Sequence, residues 1–261
     1  MIIIKKKDNV IDEIGINFQE CLMKIISYNN FKDIIVEFQD KYKAKVHTTY
    51  QHFKDGSVKN PYYPSVYNVG ITGCRYPVRI GNKVSKEYMA WKRILERCYD
   101  EKYKIKEPTY NDVTCCDEWL LYENFYEWLH SQPNFDKWLN ESRWAIDKDI
   151  LVKGNKVYSP DVCCLVPQRV NSLFVKNDAT RGLLPIGINI VGDKYEVRCG
   201  NYLNNSRYYF GLCDTIMGAF QRYKKHKENI IKQAAKEEYN AGNITEECYQ
   251  AMLNYEVEIN D

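Results

Sequence analysis

The stretch Ala145–Asn171, AIDKDILVKGNKVYSPDVCCLVPQRVN, decides how the chain is read. It places an Asp at the entry to a strand, a tight turn at Gly154–Asn155, and a short helix that carries Asn171. Alone, it is a charged hairpin, because Asp, Asn, Gly and Lys are ordinary turn residues. Its meaning depends on what flanks it.

Upstream, residues 14–60 carry the β-branched and aromatic runs KIISYNN, DIIVEFQD and AKVHTTY, broken by Asn-Asn and Lys-rich steps. They predict a small curled sheet or barrel, closed by an Asp55-Gly56 turn. YPSVYNVGITG, with Pro64, Gly70 and Gly73, reads as a linker. In SKEYMAWKRILERCYD, the spacing of Tyr88, Trp91, Leu95 and Cys98 predicts an amphipathic helix capped by Ser85. Leu121, Phe125 and Trp128 predict one face of a second helix.

Downstream, residues 181–236 read as three strands, with turns at Gly192-Asp193 and Asn204-Asn205, and then a helix. Thr215 is placed to cap that helix, and Ile216, Ala219, Phe220 and Tyr223 to face the sheet. Arg222, Lys224, Lys225 and Lys227 are expected on its outer face. A last helix begins near Thr245. The segmentation is a β-rich domain over 1–68, a central domain over 69–179, a sheet-plus-helix module over 180–236 and an acidic helical tail over 237–261. The expected class is α+β.

Charge sharpens this division. Residues 181–236 hold ten Lys or Arg against four Asp or Glu, whereas residues 237–261 hold seven acidic groups and no basic one. A basic module suits a polyanion, and the acidic tail suits a segment packed elsewhere or a mimic of nucleic acid. Ten cysteines without a CxxC pair, and four histidines far from any cysteine pair, argue against a zinc site. The opening MIIIKKKDNV turns basic too soon for a secretory leader, and no apolar run is long enough to span a bilayer. The expectation is a cytoplasmic protein with reduced thiols and no membrane partner. The 22 tyrosines suit interfaces and contacts to bases or sugars.

Period-two geometry sorts the basic strand KYEVRCG. Tyr195, Val197 and Cys199 fall on one face, with Lys194, Glu196 and Arg198 on the other. The second set is the expected nucleic-acid face, where Arg contacts guanine or phosphate and Tyr stacks or bonds phosphate. Arg181, Lys194, Arg198, Arg207 and Tyr208 are the candidate DNA contacts.

Several linked motifs extend the pattern over about residues 85–178. They are Arg97-Cys98-Tyr99, Cys116-Asp117-Glu118-Trp119, Phe125-Tyr126-Glu127-Trp128, Asp147-Lys148-Asp149 and Tyr158-Ser159-Pro160, followed by Cys163 and Asn171. Together they resemble the HNH-endonuclease-like proteins common in bacteriophages and prophages. The resemblance implies a ββα-metal fold in which Asp147 and Asn171 hold Mg²⁺ or Mn²⁺, with Asp149 as a further carboxylate. In such a site the metal stabilises the charge that develops on the scissile phosphate. Lys148 departs from the pattern, since the position usually holds the histidine base. An ordinary Lys, with a pKa of about 10.4, is an acid at neutral pH. It could instead hold a phosphate, and His130 is a distant substitute base.

The C-terminal region, through Gly187, Tyr195, Gly211, Ala219 and Tyr223, resembles the DNA-binding domain of plant ethylene-response factors. That resemblance implies a three-stranded sheet laid in the major groove. The joint expectation is a phage-type protein that binds double-stranded DNA and nicks or cuts it, working in the host cytoplasm. The alternative is a catalytically silent regulator, or an anti-defence protein that binds a host protein.

Overall fold

The computed structural model describes residues 10–175, 184–203 and 206–259. Arg181 and the Asn204-Asn205 turn lie outside the described residues. The chain mixes helix and sheet, as an α+β protein does, and forms two compact units. One comprises residues 1–111 with 115–127, and the other residues 112–114 with 128–261. Among the described residues no helix is long and apolar enough to cross a membrane.

The first unit begins with a four-stranded antiparallel sheet in sequential order: β1 (Ile14–Ile16), β2 (Leu22–Asn30), β3 (Asp33–Phe38) and β4 (Lys45–Thr48). The alternation of β3 is clean, burying Ile34, Val36 and Phe38 on one face. Met23 and Ile25 of β2 join them, as does Phe53 of the short helix α1 (Tyr50–Lys54). The strand within AKVHTTY therefore ends at Thr48, and Tyr50 opens a helix. Thr49 supplies the reason, since its side chain accepts from the His52 amide.

The segment that reads as a linker is packed instead. Val66 and Gly70 form a bridge around Tyr67 and Asn68, both at positive φ. A side chain at Gly70 would meet Leu95 Cδ1 at 2.4 Å. After a two-residue hairpin of β5 (Arg79–Ile80) and β6 (Lys83–Val84), helix α2 (Lys86–Tyr99) starts at Ser85, whose hydroxyl accepts from the Tyr88 amide. Trp91, Ile94, Leu95 and Cys98 of α2 are buried, and Trp91 Nε1 donates to Trp119 O at 2.7 Å. Helix α3 (Glu101–Lys106) follows, then β7 (Thr114–Cys115) and α4 (Tyr122–Ser131). The fully buried residues of α4 are Tyr122, Phe125 and Leu129, so its stripe is rotated from the expected Leu121, Phe125 and Trp128.

In the second unit, after α5 (Phe135–Asn140), β8 (Trp144–Asp147) pairs antiparallel with β10 (Cys164–Pro167), Asp147 standing opposite Cys164. A loop containing β9 (Val157–Tyr158) joins them, and α6 (Gln168–Asn171) leaves β10 directly. Next come β11 (Ile188–Val191), β12 (Lys194–Gly200) and β13 (Arg207–Cys213), an antiparallel sheet with β12 in the middle. Between Glu196 and Arg198 the partner strand β13 carries an extra residue, and Gly211 beside it takes φ +92°.

The second unit is joined by one long helix. Helix α7 (Ile216–Asn240) begins at Thr215, whose hydroxyl accepts from the Gly218 amide. Its first turns bury Ala219, Phe220 and Tyr223 against Ile188, Val197, Cys199 and Cys213 of the sheet. Its last turns bury Ile231, Ala234 and Ala235 against Ile150, Cys164, Val166, Val170 and Leu173 of the hairpin and α6. Helix α8 (Glu246–Leu253) folds back and adds Cys248 and Met252 to that core. Burying one such aliphatic side chain contributes about 1.5–3 kcal/mol.

This packing bears on two charge expectations. The acidic segment is part of the fold: Glu238 is buried and takes Arg169 of α6 in a two-pronged pair, at 2.5 Å from Nε and 2.7 Å from Nη2. Lys153 donates to Glu256 O at 2.7 Å and lies 3.3 Å from Glu258. Lys227, expected on the outer face of its helix, is instead half-buried beside Leu173, Tyr223 and Val257. Burial pulls its pKa below the usual lysine range. All ten cysteines are free thiols.

Candidate nucleic-acid interface

The turn after β8 brings Asp147, Lys148 and Asp149 together. Asp147 Oδ1 accepts from the backbone amides of Asp149 at 2.7 Å and Ile150 at 2.8 Å. An Asp that bonds its own chain two and three residues on closes a turn, and this one delivers Ile150 into the core. Burial raises the Asp147 pKa; the two backbone bonds and the Lys148 charge oppose the rise, and Asp149 adds to it.

Lys148 is only 7% exposed. Its ammonium donates to Asp149 Oδ2 at 2.7 Å and to Asn155 O at 2.9 Å, and lies 5.8 Å from the centre of the Tyr158 ring. Asn155 completes the loop, since its amide donates to Lys148 O at 2.9 Å and to Val157 O at 2.7 Å. The charge is thus used inside the loop and does not face solvent as a phosphate clamp would. His130 is exposed at the end of α4, with its ring 4.0 Å from Phe135.

Asn171 ends α6, and no hydrogen bond joins it to Asp147 among the described residues. Nor is any group of three or more His, Cys, Asp or Glu side chains among them arranged to hold a metal ion. The residues present fit Mg²⁺ or Mn²⁺ poorly. One Asp147 oxygen already serves two amides, Asp149 is neutralised by a buried ammonium, and that ammonium would repel a second cation.

The three-stranded sheet has a different character. Its helix-facing side carries Ile188, Val197, Cys199 and Cys213. Its other side carries Lys194, Glu196 and Arg198 of β12, in the alternation expected from the sequence. Cross-strand register adds Leu212 opposite Glu196, Tyr209 opposite Arg198, and Arg207 opposite Gly200. Tyr209 is 56% exposed and stands 5.8 Å from the Arg198 guanidinium.

Tyr208 lies opposite Cys199, so it points to the helix side of the sheet, where its hydroxyl accepts from Asn201 Nδ2 at 2.9 Å. Tyr209 takes the place expected for Tyr208. The run Tyr208-Tyr209-Phe210 offers no alternation from which to choose, and the bulge at Gly211 resets the phase.

The outward cations differ in how they are held. Arg198 is gripped by Glu196 through Nε at 2.8 Å and Nη2 at 2.9 Å. This pair lowers the Glu196 pKa and raises that of Arg198. Lys194 lies 3.0 Å from Asp214, and Arg207 reaches into solvent beside Gly200, where nothing would obstruct even a Cβ. Asn155, Arg169, Glu238 and Tyr209 were not legible as site or scaffold residues, although the Gly-Asn turn hinted at the first. No family model, curated protein or solved structure matches this chain.

Proposed function

We propose that this protein binds duplex DNA through the outer face of its three-stranded sheet, and that the hairpin of residues 144–171 supports that sheet without cutting DNA. The observation that carries the reading is the outer face itself. Arg198, Arg207 and Tyr209 stand together on a sheet face that is exposed among the described residues, and its other side is closed by α7. A sheet face of this kind can enter a major groove, with Arg forking onto guanine and Tyr contacting phosphate or sugar.

A silent hairpin is favoured over a nuclease by Lys148. Its bonds to Asp149 and Asn155 occupy the position where a nuclease of the resembled type keeps its base. In this reading the ββα motif is a retained scaffold, and α7 transmits its rigidity to the reading sheet. Binding to a host protein through the acidic tail has less support, because the buried Glu238 already pairs with Arg169 and Glu258 lies 3.3 Å from Lys153. The protein would act in the bacterial cytoplasm, where its DNA lies.

Fluorescence anisotropy with labelled duplex DNA tests this. Arg207→Ala is expected to weaken binding and to reduce the slope of log affinity against log salt by about one phosphate contact. Unchanged affinity in Arg207→Ala and Tyr209→Ala together would remove the sheet from the account.

A further inference from the structure

We infer that Glu196 is a positioning residue that makes Arg198 a reader of guanine and not a phosphate contact; this rests on the DNA reading proposed above. A guanidinium has five N–H groups in a fixed fork. Glu196 takes one on Nε and one on Nη2, at 2.8 and 2.9 Å. The edge formed by Nη1 and the outer hydrogen of Nη2 remains, and it offers two parallel N–H bonds. That is the pattern guanine O6 and N7 accept in the major groove.

Three further features hold the fork in place. Tyr209 lies against the guanidinium from the neighbouring strand. Asn189 stands opposite Glu196 in β11, on the same face of the sheet. The bulge at Gly211 lies between the Glu196–Leu212 and Arg198–Tyr209 pairs, so the local twist of the sheet is set beside this group. A carboxylate beside Arg198 cancels most of its attraction for phosphate but leaves its directional hydrogen bonds intact. Glu196 is only 15% exposed at its side chain, so its position is fixed before any ligand arrives. An acidic residue on a DNA-facing sheet otherwise repels phosphate, unless it accepts from cytosine.

The test uses the full-length protein and two short duplexes, one of G·C pairs only and one of A·T pairs only, across a series of salt concentrations. The unaltered protein is expected to prefer the G·C duplex. Glu196→Ala should lose about tenfold of that preference, the worth of one bidentate contact. It should also bind the A·T duplex at least as tightly, with a salt slope steeper by about one contact. Arg198→Lys keeps the charge without the fork and should lose the same preference. Glu196→Gln keeps an acceptor oxygen and should restore part of it. Circular dichroism checks that each variant is folded.

Equal strengthening of both duplexes in Glu196→Ala, with preference unchanged, would overturn the inference and leave DNA binding standing. Binding by the unaltered protein without any preference would do the same. Failure of the unaltered protein to bind either duplex would overturn the DNA reading, and this inference with it.

Discussion

Lys148 and Asn155 hold each other across one loop: the Lys148 ammonium donates to Asn155 O, and the Asn155 amide donates back to Lys148 O, each at 2.9 Å. A buried ammonium with these bonds is a structural cation. Lys148→Met keeps the length and apolar stem but drops the bonds, leaving a carbonyl and Asp149 without their donor. The expected loss is about 1.5–3 kcal/mol, the usual cost for bonds to a charged group. Urea unfolding checks it, and a midpoint equal to that of the unaltered protein would return Lys148 to a functional role.

Asp147 separates cap from metal ligand. An Asn side chain accepts backbone bonds as well as Asp does, whereas Ala accepts none, so Asp147→Ala should cost about 1 kcal/mol and Asp147→Asn little. The pH dependence has a defined sign. Burial raises the folded-state pKa above an unfolded value of about 3.9, so the native state binds more protons between the two. The stability contributed is complete below the unfolded pKa and is lost as pH rises through the folded one. Asp147→Asn removes that loss, so it should match or exceed the unaltered protein at neutral pH and lose its advantage in acid. Thermal melts across a pH series would reveal the opposite trend if the carboxylate were stabilised by its charge.

Glu238 ties the acidic segment to α6. Its carboxylate is buried and accepts from Arg169 and from Asn243 Nδ2, the latter at 2.7 Å. Glu238→Gln should destabilise the second unit by about 2–3 kcal/mol, below the full cost of breaking a buried pair because Arg169 is half exposed. Denaturant unfolding measures this, and a change within error would mean the tail is a loose appendage.

Gly187 precedes β11 at φ +75°, and a Cβ there would stand 2.4 Å from Arg198 O and 2.3 Å from the Tyr223 ring. Gly187→Ala must therefore move the sheet away from α7, at a cost of at least about 2 kcal/mol. A large fall in melting temperature is expected. A fall of a degree or less would contradict the close approach of β11 to the helix.

Local signals were legible where chemistry stayed local. Ser85 and Thr215 were readable as caps because the hydroxyl and its amide lie three residues apart. The face assignment in KYEVRCG followed from alternation alone. What was not legible depended on distant partners. Nothing near Glu238 in sequence names Arg169, and nothing near Lys227 shows that Val257 returns to cover it. Acidic composition pointed to a tail packed elsewhere or a mimic of nucleic acid, without showing that its apolar residues Ile244, Cys248 and Met252 complete the core around the hairpin. Asp147 and Asn171 were singled out by type and order, and neither reports how many of its acceptors the backbone already uses.

The most direct measurement is a low-salt gel assay of the purified protein on supercoiled and linear duplex DNA, with Mn²⁺, with Mg²⁺ and with chelator. A retarded band is expected in all three conditions, with no change from supercoiled to nicked or linear form. Metal-dependent nicking that Asp147→Ala abolishes would contradict the silent hairpin, and an unretarded band would contradict the DNA-reading sheet.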